Sequence, residues 1–489
     1  MTKGEDVNVK KGVSFACAAL LCASGFCAKK TYEFVPSAVP QNGTYALYVD
    51  SRDWGLAVHK VVINAGQNFA ASAIQKEDFV AGVYLGNKKK AGRIYGPAQS
   101  KRDILSAYVC DEAGEEVAGR GRYVALEFAV SPDDSYTGPY VFYKKPRAAD
   151  DIFGMKITNE KLGIEISRRS AIVFPTARRF VTAKSESLDE GGEKITLQYS
   201  YYIPQVDEGT QVPLVLWLHG MGEGGDDVYA PLLNSPAAKL TGQKIQSHFG
   251  EGCAVLIPVC PTGWLETNEK DPMGNRLWVP VDIKGTVKKV ASPMTKLFGR
   301  FIYTQDDYEE VAANKTYNTV SYYTDAVKKL VEYFIMWHPE IDANRIYVGG
   351  ASAGGYMTVN MVLQCPELFA AAFAVCEAYP DERISSAQID LLADQNLWFA
   401  VALNDETVNP QKCTLATYER LKNAGAQNAH LCSYSRIIDM HGFKDEDGEP
   451  FEYEGHYSWV YVLDDYCVSD SDKTLSLFDW LSRQSRSPL

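Results

Sequence analysis

Between Tyr32 and about Lys145, apolar residues come in short runs with turn formers between them. Tyr45–Val49, Val58–Ile63, Phe79–Leu85, Ile104–Cys110, Tyr123–Val130 and Tyr140–Tyr143 are such runs, and Gly, Asn, Asp or Pro separates most of them. No long stretch repeats at helical spacing. Short apolar runs bounded by turn formers predict strands, and roughly a hundred residues of them predict a small β-sandwich. Lys144–Asp150 reads as a linker leading out of it.

The pattern changes after about Phe153. Ile195–Ile203 alternates, as an early antiparallel strand does. Pro213–Leu218, Cys253–Val259, Arg345–Val348, Ala371–Cys376 and Leu397–Leu403 are nearly unbroken apolar runs, which predict strands covered on both faces. Ala326, Val327, Leu330, Val331 and Phe334 recur at helical spacing, with Lys328, Lys329 and Glu332 off that face. Pro339, Asp342 and Asn344 then end the helix and turn into the next strand. Strands alternating with helices predict an α/β domain with a largely parallel sheet. Gly263–Asn318 is long, polar and aromatic. A stretch of that kind in a compact domain is either functional or a surface excursion with minor structure of its own. In the first case Trp264, Trp278 and Phe301 are candidates for a lid.

Composition narrows this picture in three places. The chain has 489 residues, which at ~150 per domain suggests about three domains, but the pattern divides into two. Its 49 basic residues against 62 acidic ones give a net charge of −13, which argues against a generic nucleic-acid surface. Three of its 11 cysteines (Cys17, Cys22 and Cys27) fall in an uncharged run from Gly12 to Ala28, flanked by Lys10-Lys11 and Lys29-Lys30. A basic start, a short apolar stretch and small residues near its end predict a secretory signal peptide over residues 1–28, hence a secreted or periplasmic protein. A lipid anchor on Cys22 or Cys27 and an uncleaved membrane anchor are the alternatives. No later run is long enough to predict a membrane span in the mature chain. Cys253 and Cys260, at opposite ends of one predicted strand, lie about 23 Å apart and cannot bond. There is no CxxC, which argues against a zinc or redox motif.

Two glycine-rich segments carry chemistry. Gly350-Ala351-Ser352-Ala353-Gly354-Gly355 stands between a predicted strand and a predicted helix. This is G-x-S-x-G in strand–turn–helix context, where a tight turn lifts the serine hydroxyl above the sheet. Leu218-His219-Gly220-Met221-Gly222-Glu223-Gly224-Gly225 ends another strand, and its backbone N–H groups can meet a developing oxyanion or cradle a phosphate. The expected oxyanion donors are the N–H groups of Met221 and Ala353. An activated serine needs a histidine and an acid. Of seven histidines, His456, in Glu454-Gly455-His456-Tyr457, suits a loop before a helix, and His441 is its rival. Asp405 follows the strand Leu397–Leu403 directly and so reaches the sheet edge where Ser352 sits; Glu406 is the alternative acid. The order Ser352, Asp405, His456 is that of α/β hydrolases.

Together GGASAGGY, LHGMGEGG, LNDETVNP and EGHYSW resemble the secreted α/β-hydrolase esterases related to polyhydroxybutyrate depolymerases and to feruloyl and acetylxylan esterases, some labelled predicted peptidases. The subgroup with an Ig-like N-terminal domain is most similar. Motifs carry the resemblance over residues 174–489, and architecture carries the rest. It implies an Ig-like β-sandwich over 31–150 and an α/β-hydrolase catalytic domain over 151–489, with Ser352 as nucleophile, His456 as general base and acid, and Asp405 as the orienting acid. It implies an ester substrate, with acylated plant polysaccharides suggested by the relatives, and no metal or organic cofactor. Asn404, where such relatives often carry His-Gly, and the long segment Ile437–Glu454 depart from the pattern. A serine peptidase of the prolyl-oligopeptidase type and a binding protein on a hydrolase scaffold remain the alternatives.

Overall fold

A computed structural model describes residues 34–87, 100–134, 136–138, 151–189, 191–225, 227–270, 276–279 and 318–486. The expected signal peptide, the run Tyr140–Tyr143, the linker Lys144–Asp150 and Phe301 lie outside them. The described residues form two compact units that divide between Arg178 and Arg179.

The first unit holds a six-stranded sheet and a four-stranded sheet. The long hairpin Thr44–Arg52 and Gly55–Ala70 forms the middle of the first sheet, and Tyr45, Leu47, Val61 and Ile63 are fully or almost fully buried along it. The two sheets meet through Tyr45, whose hydroxyl accepts the Met155 N–H at 2.8 Å. This is the expected sandwich, but its boundary falls later than residue 150. Asp151–Asn159 pairs antiparallel with Val80–Asn87 in the four-stranded sheet, and Arg169–Val173 pairs parallel with Thr44–Arg52 in the six-stranded one. Strand periodicity marks these segments as extended, yet the paired residues are more than sixty positions away in sequence, and no local pattern names them.

An eight-stranded sheet organises the second unit. Its strands lie in the order Val181–Leu188, Lys194–Tyr202, Ala254–Val259, Val212–Leu218, Ile341–Ala351, Ala371–Val375, Leu397–Ala402 and Ala429–Tyr434. The first two form an antiparallel hairpin that joins Ala254–Val259 antiparallel, and every other pairing is parallel. All residues of Val212–Leu218 and Leu397–Ala402 are buried, as unbroken apolar strands covered by helices must be. The helix Thr324–Trp337 turns Ala326, Val327, Leu330, Val331 and Phe334 inward, as its spacing predicts.

This topology positions the site. After Val212–Leu218 the chain moves to Ala254–Val259 on one side of it, then crosses to Ile341–Ala351 on the other. The strand order reverses there, and such a switch point opens a crevice beyond the carboxyl ends of the two strands. Those ends are Leu218 and Ala351, immediately before the two glycine-rich segments. Among the described residues no helix is long and apolar enough to cross a membrane.

Candidate active site

Ser352 joins the strand Ile341–Ala351 to the helix Ala353–Gln364. Its φ of 58° and ψ of −118° put a non-glycine residue in strained backbone, at a cost of ~1–3 kcal/mol. The turn is held because its neighbours leave no room to relax. A Cβ on Gly354 would fall 1.9 Å from the Leu218 carbonyl oxygen, and one on Gly350 would fall 2.5 Å from it. Glycine at both positions lets the helix start press against the end of the adjacent strand. The Ser352 N–H donates to Val375 O at 2.9 Å, and its carbonyl accepts the Tyr356 N–H at 2.9 Å.

The turn after Val212–Leu218 lies against this elbow. A Cβ on Gly220 would sit 3.8 Å from Ser352 Cβ. Two side chains fix the turn, and the sequence reading gave neither this role. Glu223 is buried, and its two carboxylate oxygens accept the Gly220 N–H at 2.7 Å and the Ser235 N–H at 2.6 Å. His219 Nε2 accepts the Cys260 N–H at 2.9 Å, so the proton sits on Nδ1, which donates to Gly220 O at 2.7 Å. An acid three residues after Gly220 in a glycine-rich turn is the signal that could have flagged Glu223. Met221 follows Gly220, and Ala353 opens the helix, where first-turn N–H groups have no acceptor within the helix.

Trp264 is fully buried, and its indole N–H donates to His219 O at 3.0 Å. It supports the turn from within the core, which corrects its reading as a lid residue; an indole N–H aimed at a buried carbonyl is not visible in a loop's composition. Trp278 is also buried, on a short strand Arg276–Trp278 paired with Glu266–Lys270. The described residues of the stretch therefore have minor structure of their own.

Asp405 and His456 meet directly. His456 Nδ1 lies 2.8 Å from Asp405 Oδ2, and both side chains are buried. Asp405 Oδ1 accepts the N–H groups of Thr407 at 2.7 Å and Val408 at 2.9 Å, which fixes the carboxylate plane. A carboxylate only accepts, so Nδ1 carries the proton and Nε2 presents its lone pair. Nε2 is buried and has no hydrogen-bond partner among the described residues. The His456 loop packs tightly on the Asp405 turn, since a Cβ on Gly455 would fall 2.4 Å from Asn404 Oδ1. Asn404 thus serves as a packing surface. Ser352 sits at the same sheet edge, two strands and so about 10 Å along from the strand that leads to Asp405. Between them the buried Cys376 side chain lies beside Ser458 and Ser352.

The rivals lie elsewhere. Glu406 points into solvent. His441 is 45% exposed on its side chain and pairs with Asp464, 3.0 Å away, at the end of a small excursion. That excursion is the hairpin of Ile437–Ile438 with Glu452–Tyr453, tied by Asp439, which accepts the N–H groups of His441 and Phe443 and the Tyr453 hydroxyl. One further acid lies near the site. Burial pushes the Glu377 carboxyl up to about 8, and its Cα packs against Gly355 in the first turn of the Ser352 helix.

Residues 44–208 match the family profile of the esterase Ig-like N-terminal domain, and residues 303–453 match the prolyl oligopeptidase family. No curated protein is significantly similar in sequence. Among solved structures, a thermostable esterase is 20% identical and covers 91% of this chain and 100% of its own, with a TM-score of 0.59. A ferulic acid esterase is 12% identical over 52% of this chain and 90% of its own, with a TM-score of 0.32. An acylaminoacyl peptidase from Pyrococcus horikoshii is 13% identical over 64% of this chain and 44% of its own, with a TM-score of 0.34. The fold is an α/β hydrolase preceded by an Ig-like domain.

Proposed function

We propose that this protein hydrolyses carboxylic esters through Ser352, His456 and Asp405. One observation carries the reading. His456 is fixed by Asp405 in the tautomer that leaves Nε2 basic, and that atom is buried without a partner at the sheet edge where Ser352 stands on a strained turn. In the proposed reaction the Ser352 hydroxyl attacks the ester carbonyl while His456 Nε2 takes its proton. The N–H groups of Met221 and Ala353 stabilise the oxyanion, held in place by Glu223 and by the start of the Ser352 helix. His456 then returns the proton to the leaving alcohol, and water, activated by the same nitrogen, releases the acyl group. Nucleophile, base and oxyanion donors all come from the chain itself.

Hydrolysis of p-nitrophenyl acetate and butyrate by the wild type and Ser352→Ala tests this. Loss of activity by several orders of magnitude is expected; equal rates would refute the serine assignment. A serine peptidase is the second reading, favoured by the match of residues 303–453 to the prolyl oligopeptidase family. Cleavage of short peptide amides without activity on aryl or alkyl esters would reverse the order of the two. Acylated plant polysaccharide as the natural substrate and export from the cell are further parts of the proposal, supported by the likeness of the motifs and by the pattern of residues 1–28. A panel of feruloyl, acetyl-xylan and short alkyl esters, with sequencing of the mature N-terminus, tests both.

A further inference from the structure

All eight cysteines among the described residues are buried and carry free thiols. Two of them face each other. Cys432 lies in the last strand of the large sheet, Ala429–Tyr434, and Cys467 lies on the segment that follows the helix Trp459–Leu463. The two side chains are neighbours, and Tyr434 lies beside both. The Trp398 indole N–H donates to Cys467 Sγ at 3.2 Å and holds that sulfur in place.

The backbones are clamped at the same point. Asp470 N–H donates to Leu431 O at 2.7 Å. Asp470 Oδ2 accepts the Ser433 N–H at 3.0 Å and its hydroxyl at 2.6 Å. Asp470, three residues after Cys467, is thus held against Leu431 and Ser433, the two neighbours of Cys432. Other described cysteines have different surroundings. Cys376 lies beside Ser458, and Cys253 and Cys260 flank opposite ends of one strand.

We infer that Cys432 and Cys467 are a disulfide-forming pair, oxidised when the chain folds in an oxidising compartment. The step needs a disulfide oxidant, either glutathione disulfide or a thiol–disulfide oxidoreductase. One cysteine thiolate attacks the oxidant and forms a mixed disulfide, releasing the oxidant's first thiol. The partner thiolate then displaces the second thiol, closing the Cys432–Cys467 bond. The two protons and the two electrons given up by the cysteines both end on the oxidant's two released thiols. Because both sulfurs are buried in the finished fold, the exchange belongs to folding, before Asp470 closes on Leu431 and Ser433.

The pair has a functional position. The segment it would bridge carries the Ile437–Tyr453 hairpin, His456 and the helix after it. A bond between Cys432 and Cys467 fastens that segment at both ends, independently of whether the site cleaves esters or amides.

Peptide mapping tests the inference. The full chain is made in an oxidising secretory compartment, and, in a second arm, in a reducing cytosol followed by refolding with glutathione disulfide at pH 8. Free thiols are alkylated under denaturing conditions without reductant before digestion. A peptide pair joined through Cys432 and Cys467 in either arm, lighter by about two hydrogens than the free peptides and released by dithiothreitol, is the expected result. Alkylation of both cysteines in both arms, or a bond from either one to a different cysteine, would overturn it. Because the mapping uses the wild-type chain, no variant has to fold for the answer to be read.

Discussion

Replacing Asp405 with Asn changes one atom and tests the proposed role of His456 with little disturbance of packing. The amide can take two orientations. With its oxygen toward Thr407 and Val408, it keeps both backbone N–H bonds that Asp405 Oδ1 accepts, at 2.7 and 2.9 Å. With its NH2 there instead, two donors face two donors, and the loss is ~2–6 kcal/mol from two unsatisfied buried groups. The first orientation wins, so the NH2 faces His456 across the 2.8 Å contact. His456 Nδ1 must then accept, its proton moves to Nε2, and the ring can no longer take a proton from Ser352. The expected loss in kcat is about 10^3 to 10^4, equivalent to about 4 to 5.5 kcal/mol of transition-state stabilisation. KM should change by less than about threefold, because no substrate-binding surface is altered. The assay is steady-state hydrolysis of p-nitrophenyl butyrate by Asp405→Asn, with thermal unfolding measured in parallel. A kcat within tenfold of the wild type, in a variant that melts within a few degrees of it, would refute the tautomer argument.

Three further outcomes follow from the same geometry. Ser352→Gly should be inactive yet at least as stable as the wild type, by up to about 1–2 kcal/mol in denaturant titration, because glycine adopts a φ of 58° without strain; a clear destabilisation would contradict the strained turn. Glu223→Gln can accept only one of the Gly220 and Ser235 N–H groups, so a stability loss of ~1–3 kcal/mol and a drop of roughly tenfold in kcat are expected from unfolding and ester kinetics. Burial raises Glu377 to about 8 in the fold from its ordinary 4.5, so the native state holds the proton that the unfolded chain gives up. Stability from this group is full below about pH 4.5 and is lost as pH rises toward about 8. Melting curves from pH 5 to 9 should show a smaller fall for Glu377→Gln than for the wild type.

The large sheet and the chemical turns were legible because each is written locally. Unbroken apolar runs such as Pro213–Leu218 and Leu397–Leu403 mark buried strands, and Gly350–Gly355 marks a turn where helix and strand crowd together. What escaped the sequence depends on partners distant along the chain. The strands Asp151–Asn159 and Arg169–Val173 look the same whether they join the sheets before them or the one after, and their hydrogen bonds to Val80–Asn87 and Thr44–Arg52 decide it. Asp405 and Glu406 are neighbours of like chemistry, and the way the chain leaves the strand buries one beside His456 and exposes the other. Trp264 carries the same aromatic signal in a core as in a lid, and only its bond to His219 O separates the two.

Several local rules are broken together at one edge of one sheet. Ser352 is one of three non-glycine residues with positive φ among the described residues, and Cys376, at the end of the next strand, is another. The same edge holds the buried, unpartnered His456 Nε2 and the buried Glu377. Each feature opposes folding, and each is tolerated because its surroundings over-determine it: Val375 O and Tyr356 N–H at Ser352, Asp405 at His456, Thr414 and the Tyr379 N–H at Glu377. A purely structural core would gain stability by relaxing any of them. A glycine in place of Ser352 would remove the backbone strain, and an apolar residue in place of His456 would remove the orphaned nitrogen. Strain, an unsatisfied base and a rigid acceptor for its proton have value together in a reaction where a hydroxyl proton moves to Nε2. That concurrence is why the proposed function rests on this edge and not on the glycine motif alone.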